Sequence, residues 1–205
     1  MSTTQHISDQ YRPDDVLGTD GDERTSLSRL GGVRCRAAAK DPNPLVRWDT
    51  VGTVERGGSV YDDPEVFQRY VRKRDASAFD PNHVMEEPAL LAELGDPIGR
   101  RVVDLGCGDG TFGAILLAAG AAGYLGIDGS RTMVEQARRR LADTDGRVVL
   151  GDLEDFTAPP GSADLVTCRQ ALHYVEDVRP VLDAVAHCLT PGGRFVMTEI
   201  GRAHV

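Results

Sequence analysis

VVDLGCGDGTFG, from Val102 to Gly113, joins three apolar residues and an aspartate to four glycines, Gly106, Gly108, Gly110 and Gly113. A short apolar run that ends in glycines and passes into an apolar stretch of helical length reads as strand, tight turn and helix. Glycines let backbone approach a ligand closely, and the free N–H groups at a helix start can bind one. The last six residues spell G-x-G-x-x-G and Asp128 follows about twenty residues on, which is the pattern of a dinucleotide site. Two details point elsewhere. The first glycine is Gly106, so the dinucleotide frame begins two residues late. Asp104 stands two places before Gly106, where a carboxylate opposes a pyrophosphate and suits a ligand with a cationic end.

Outward from this loop the chain alternates. Strands are expected at Val102 to Leu105, Tyr124 to Ile127, Val148 to Leu150, Leu165 to Thr167 and Arg194 to Ile200. Helices are expected at Thr111 to Ala119, Arg131 to Ala142 and Val178 to Cys188, between those strands. Strands separated by helix-length segments imply right-handed βαβ units, hence an α/β fold: a doubly wound, Rossmann-like parallel sheet with helices on both faces. Ligands of such sheets sit beyond the carboxyl ends of the strands, where the strand order reverses. Acids and polar residues do cluster there, as Asp104 to Gly110, Asp128-Gly129-Ser130, Asp152-Leu153-Glu154 and Cys168 to His173.

Asp-Leu-Gly-Cys-Gly-Asp-Gly, from Asp104 to Gly110, resembles motif I of the class I S-adenosylmethionine-dependent methyltransferases of small-molecule type. Four further segments resemble the family in order: Tyr124 to Ser130, Gly151 to Phe156, Ala163 to Asp177 and Leu189 to Val196. The likeness runs from about Tyr61 to Ile200. It implies S-adenosylmethionine as cofactor and a small-molecule acceptor. By resemblance, Gly106, Gly108 and Gly110 let the methionine part and ribose lie close, and Asp104 faces the amino end. Asp128, with Gly129 behind it, accepts the ribose hydroxyls. Asp152 takes the adenine amino group while Leu153 offers its backbone N–H. Arg169 and Gln170 approach the methionine end through backbone carbonyls.

Each acid also has an ordinary reading, as a cap or turn residue at a strand end; their joint placement after successive strands favours the ligand. Methyl transfer from a sulfonium needs positioning more than a dedicated catalyst. The candidate base is His173, in Ala171-Leu-His-Tyr174, since an imidazole with an ordinary pKa of about 6.5 can take a proton from oxygen or nitrogen. Its other reading is a helix start or a side chain packed beneath the pocket. Met133 and Phe67 are assigned to the core.

The 205 residues carry a formal net charge of −9, and neither Arg72-Lys73-Arg74 nor Arg138-Arg139-Arg140 makes a broad basic surface. Nucleic acid is therefore not an expected partner. Residues 1–58 are polar, rich in Asp-Gly, Gly-Gly and Asn-Pro breakers, and are expected to be disordered or loosely packed. By the resemblance, residues 59–98 are expected to form a helical lid region, with a helix from Pro64 to about Arg74 that brings Tyr61, Tyr70 and Arg74 toward cofactor or substrate. Residues 99–205 are expected to form the cofactor-binding core.

Met1 to Gln10 lacks an apolar leader, and the run from Ala114 to Ile127 is too short to span a bilayer. The expectation is a cytoplasmic protein with no membrane partner. Cys35, Cys107, Cys168 and Cys188 are widely spaced, as expected of reduced thiols, with no metal site. The chain stops after a fifth strand, so the sheet is expected to be C-terminally shortened, with an exposed last strand through which homo-oligomers could form. Three functional readings stay open at this point: a methyltransferase, a truncated or degenerate cofactor-binding protein without turnover, and an NAD(P)-binding oxidoreductase.

Overall fold

The computed structural model describes residues 57–75 and 85–199, with backbone alone at Gly57 and residues 73–75. The expectation for 1–58 lies outside the described residues save for its last two, and so does the expectation for the side chain of Arg74. Gly57–Asp62 is a 3-10 helix, followed by α1 (Pro64–Asp75) and α2 (Glu87–Leu94). The Asp63 carboxylate accepts the N–H groups of Glu65 and Val66, which caps α1 as its Asp-Pro-Glu start implies.

From residue 101 the chain alternates: β1 (Arg101–Leu105), α3 (Thr111–Ala118), β2 (Gly123–Asp128), α4 (Arg131–Arg140), β3 (Gly146–Leu150), β4 (Ala163–Arg169), α5 (Val178–Cys188) and β5 (Leu189–Thr198). The five strands are parallel in the order β3-β2-β1-β4-β5. The order reverses between β1 and β4, so the loops leaving those two strands part at the centre of the sheet.

The last strand differs from its sequence reading. Leu189 already pairs with Ala163, whereas Arg194 pairs with Leu165 and Thr198 with Arg169. Pro191-Gly192-Gly193 therefore forms an excursion within the strand, with Gly192 at φ +80°. Arg194 to Thr198 lies in β5 as expected, and Ile200 is outside the described residues.

The core follows from the strand composition. Val103, Leu105, Leu125, Ile127, Val166 and Cys168 are buried from both faces and pack with Leu172, Val181 and Val185. Each such aliphatic side chain contributes about 1.5–3 kcal/mol on burial. Cys107, Cys168 and Cys188 are buried thiols. Met133 joins the core, and Phe67 is half-buried. Among the described residues no helix is long and apolar enough to cross a membrane.

At the end of the sheet opposite those loops, Arg101 forks onto Asp164, with Nε at 3.0 Å from Oδ2 and Nη2 at 3.0 Å from Oδ1. This pair locks β1 to β4. The guanidinium hydrogen bonds hold the Asp164 carboxyl down to about 2.

Candidate functional site

The glycine loop is built by close approach. Gly106 has φ +74°, and a Cβ there would lie 2.3 Å from the Ala171 Cβ, so the β1 loop touches the β4 loop across the switch point. Gly110, at φ +79°, has no room either, because a Cβ would meet Ala137 of α4 at 2.9 Å. Gly113 has another purpose than its place in the G-x-G-x-x-G pattern suggests. Its missing side chain leaves space for the Tyr124 ring, which a Cβ would meet at 2.4 Å.

Through that space the Tyr124 hydroxyl donates to Asp104 Oδ2 at 2.7 Å, and Thr167, in register with Asp104 on β4, donates to Oδ1 at 2.8 Å. The Asp104 carboxylate is thus buried between two protein hydroxyls. Burial pushes its pKa up, against the two hydroxyl hydrogen bonds and the charge of Arg169. The same burial, with the Asp104 charge beside it, pushes the Tyr124 phenol well up.

Asp128 ends β2 and organises two loops. Its Oδ2 accepts the N–H of Gly108 at 2.8 Å, and its Oδ1 accepts the N–H of Ser130 at 2.9 Å. Burial raises its pKa to about 6, opposed by those two N–H bonds and aided by the charges of Asp104 and Asp62. Gly129 faces Gly58, whose Cα lies 3.3 Å from the position of a Gly129 Cβ, so the first 3-10 turn rests on this loop. Asp62 fastens it there. Its Oδ1 accepts Ser130 Oγ at 2.7 Å and the Thr132 N–H at 3.0 Å, while Ser130 caps α4 through the Met133 N–H.

Asp152 follows β3, and its Oδ1 accepts the Glu154 N–H at 3.0 Å as the cap of the short turn Leu153–Asp155. Leu153 is buried at the start of that turn. Arg138-Arg139-Arg140 does structural work: Arg138 Nε donates to the Val148 carbonyl, and Arg140 pairs with Asp109 at 3.0 Å. Arg140 so tethers the outer side of the glycine loop.

The loop after β4 faces α2 and the end of β5. Arg169 has its side chain folded over the Phe112 ring, 4.6 Å from the centroid, with Nε 3.7 Å from Glu86 Oε1 and Nη1 3.6 Å from Glu87 Oε2. Gln170 sits at φ +47°, a left-handed conformation that costs an ordinary residue about 1–3 kcal/mol and is typical of functional loops. Its side-chain amide and the Thr198 hydroxyl both donate to Glu86. His173 lies in the turn Leu172–Tyr174, with Nδ1 2.9 Å from Glu199 Oε1 and its backbone N–H donating to Glu199 Oε2 at 3.1 Å.

Above these loops Tyr61, Tyr70 and Tyr174 meet edge to face, at 5.4 and 6.1 Å between ring centroids, and the Tyr61 and Tyr174 hydroxyls are 2.9 Å apart. The Tyr70 hydroxyl lies 3.7 Å from the position of a Gly108 Cβ. The residues named from the sequence therefore gather along the carboxyl edge of β1 to β4. Glu86, Glu199, Thr167, Tyr124 and Asp62 join them, although sequence reasoning assigns them no part in the site. Asp62 lies beside a helix cap, and Tyr124 and Thr167 lie in segments that resemble the family, whereas Glu86 and Glu199 carry no such signal.

Residues 103–195 match the family described as "Methyltransferase domain". The chain carries a class I S-adenosylmethionine-dependent methyltransferase domain. Its Rossmann-like fold is similar to that of an S-adenosylmethionine-dependent methyltransferase from Mesorhizobium loti, a solved structure that is 41% identical with a TM-score of 0.55, over 58% of this chain and 54% of that one. Among named relatives, trans-aconitate 2-methyltransferase of Acidovorax sp. (strain JS42) is 33% identical over 132 residues, covering 64% of this chain and 46% of that protein. The ubiquinone biosynthesis O-methyltransferase of Aromatoleum aromaticum is 36% identical over 107 residues, covering 51% of this chain and 45% of that protein. The chain spans about half the length of the relatives it matches. The match of residues 103–195 to the methyltransferase domain stands against the dinucleotide reading of the glycine loop.

Proposed function

We propose that this domain binds S-adenosylmethionine and transfers its methyl group to a small-molecule acceptor. The observation that carries the reading is the hydrogen bond from the Gly108 N–H to Asp128, which holds a buried carboxylate against a loop whose Gly106 and Gly110 have no room for a side chain. Such a donor set fits a nucleoside: a buried fixed acid for vicinal hydroxyls, bare backbone beside it, and a tyrosine hydroxyl over Gly108. When bound, the cofactor supplies an electrophilic methyl carbon on a sulfonium.

The chain's own residues then divide the work. Gly106, Gly108 and Gly110 admit the ligand close to the backbone. Asp128 and Gly129 take the ribose side. Asp152 and Leu153 take the adenine side, Leu153 through its N–H. Asp104, behind the loop, offers negative charge toward the cationic end while Tyr124 and Thr167 hold it still.

Arg169 belongs at the methionine end through its backbone, because its guanidinium is already engaged by Glu86, Glu87 and Phe112. His173 is the base for the acceptor. The polar residues after β4, with Glu199 and the packed tyrosines beside them, support a small acceptor, and the buried thiols suit a reducing cytoplasm.

The reading is tested by incubating the full chain with methyl-labelled S-adenosylmethionine and a panel of small hydroxyl, amine and carboxylate acceptors. Acceptor-dependent release of S-adenosylhomocysteine supports it. Cofactor binding with no release from any acceptor favours the alternative, a binding protein without turnover.

A further inference from the structure

Strands β4 and β5 are neighbours, and Arg169 pairs with Thr198. The residues just beyond both strands consequently meet at the carboxyl edge, which is where His173 and Glu199 come together. Both Glu199 oxygens are used: Oε2 accepts the His173 backbone N–H and Oε1 faces Nδ1 at 2.9 Å. The Glu199 and His173 side chains are each mostly buried, so the pair is held with little competition from water.

A carboxylate can only accept. A neutral imidazole beside it must therefore carry its proton on Nδ1, which leaves the Nε2 lone pair bare. Nε2 takes no hydrogen bond from the described residues.

We infer that Glu199 is a positioning residue that fixes His173 as the Nδ1–H tautomer, with Nε2 turned into the proton acceptor for the methyl acceptor. The inference rests on the proposed methyl transfer and narrows its substrate class to nucleophiles that bear a proton, a hydroxyl or an amine. The proton passes from that O–H or N–H to Nε2, the freed lone pair bonds the methyl carbon, and the carbon–sulfur electron pair leaves with sulfur as S-adenosylhomocysteine. Glu199 then faces an imidazolium and balances its charge. A carboxylate acceptor needs no such base.

Glu199→Gln gives the sharpest test. The backbone N–H of His173 still requires an acceptor, so the amide oxygen turns to it and the amide NH₂ turns to Nδ1. Nδ1 must then accept, and the proton moves to Nε2. Long-range proton–nitrogen NMR correlations on the full chain, under alkaline conditions where imidazoles are neutral, report the tautomer, with His173→Asn identifying the signals. The expected result is an Nδ1–H imidazole in the parent chain, and an Nε2–H imidazole in both Glu199→Gln and Glu199→Ala.

An Nε2–H imidazole in the parent chain overturns the inference, as does an unchanged tautomer in the two variants. Titration of the same samples with S-adenosylhomocysteine separates the two layers. Failure to bind in the parent chain counts against the cofactor reading, whereas the tautomer alone decides the role of Glu199.

Discussion

The carboxylate of Asp128 accepts the backbone N–H of Gly108 at 2.8 Å, which ties the end of β2 to the turn that leaves β1. One side chain thus holds two loops, since its other oxygen accepts the Ser130 N–H. An amide cannot do both jobs, because Asp128 receives two N–H donors and an asparagine offers one acceptor oxygen and two further donors. Asp128→Asn should therefore lower S-adenosylhomocysteine affinity by more than about tenfold and cost roughly 1–3 kcal/mol of stability. Calorimetric titration and urea unfolding of the same variant check the pair of effects.

The pKa of Asp128 predicts a pH signature with two opposite signs. Burial lifts the group from an ordinary 3.8 to about 6, so the folded chain binds this proton more tightly than the unfolded chain does. Its contribution to stability is fully present below about pH 4 and is lost as pH rises to about 6, on the order of 3 kcal/mol in all. The ionised form is the better acceptor of ribose hydroxyls, so ligand affinity rises over that same interval. Comparing the parent chain with Asp128→Asn isolates this group from the other carboxylates, and both slopes should disappear in the variant.

Gly106→Ala should be far more damaging than Gly161→Ala. Both residues have positive φ, at +74° and +62°, so both substitutions incur backbone strain of about 1 kcal/mol. Only at Gly106 would the new Cβ also strike Ala171, at 2.3 Å, whereas Gly161 has nothing within 4 Å. The loop after β1 or the loop after β4 must move, adding about 1–3 kcal/mol and weakening cofactor binding. Thermal melts with and without S-adenosylhomocysteine distinguish the two variants.

Asp164→Ala should separate stability from binding. The residue holds Arg101 at the far end of the sheet and accepts both its side chain and its backbone N–H. Because Arg101 is partly exposed, the loss should be about 1 kcal/mol. S-adenosylhomocysteine affinity should stay within about twofold, as calorimetry would show.

The doubly wound sheet is legible because each strand is an apolar run and each glycine or acid that ends one lies at a strand terminus. Val102 to Leu105 followed by Gly106 is visible in one dimension. The loops around Asp128 and Asp152 are legible for the same reason. Partners supplied from far along the chain are not. Glu199 is 26 residues from His173, and Thr198 is 112 from Glu86; nothing local marks either meeting. Gly113 shows the opposite failure, where a motif position suggests a ligand and the structure gives it to the ring of Tyr124. The start of β5 is hidden because Pro191-Gly192-Gly193 reads as a turn, while Leu189 has already paired with Ala163.

The central claim is that the glycine loop and Asp128 hold an S-adenosyl group. Calorimetric titration of the full chain with S-adenosylhomocysteine, and separately with NAD, tests it most directly. The account predicts saturable one-site binding of S-adenosylhomocysteine, abolished in Asp128→Ala, and no heat of binding from NAD. Saturable binding of NAD with none of S-adenosylhomocysteine would contradict it.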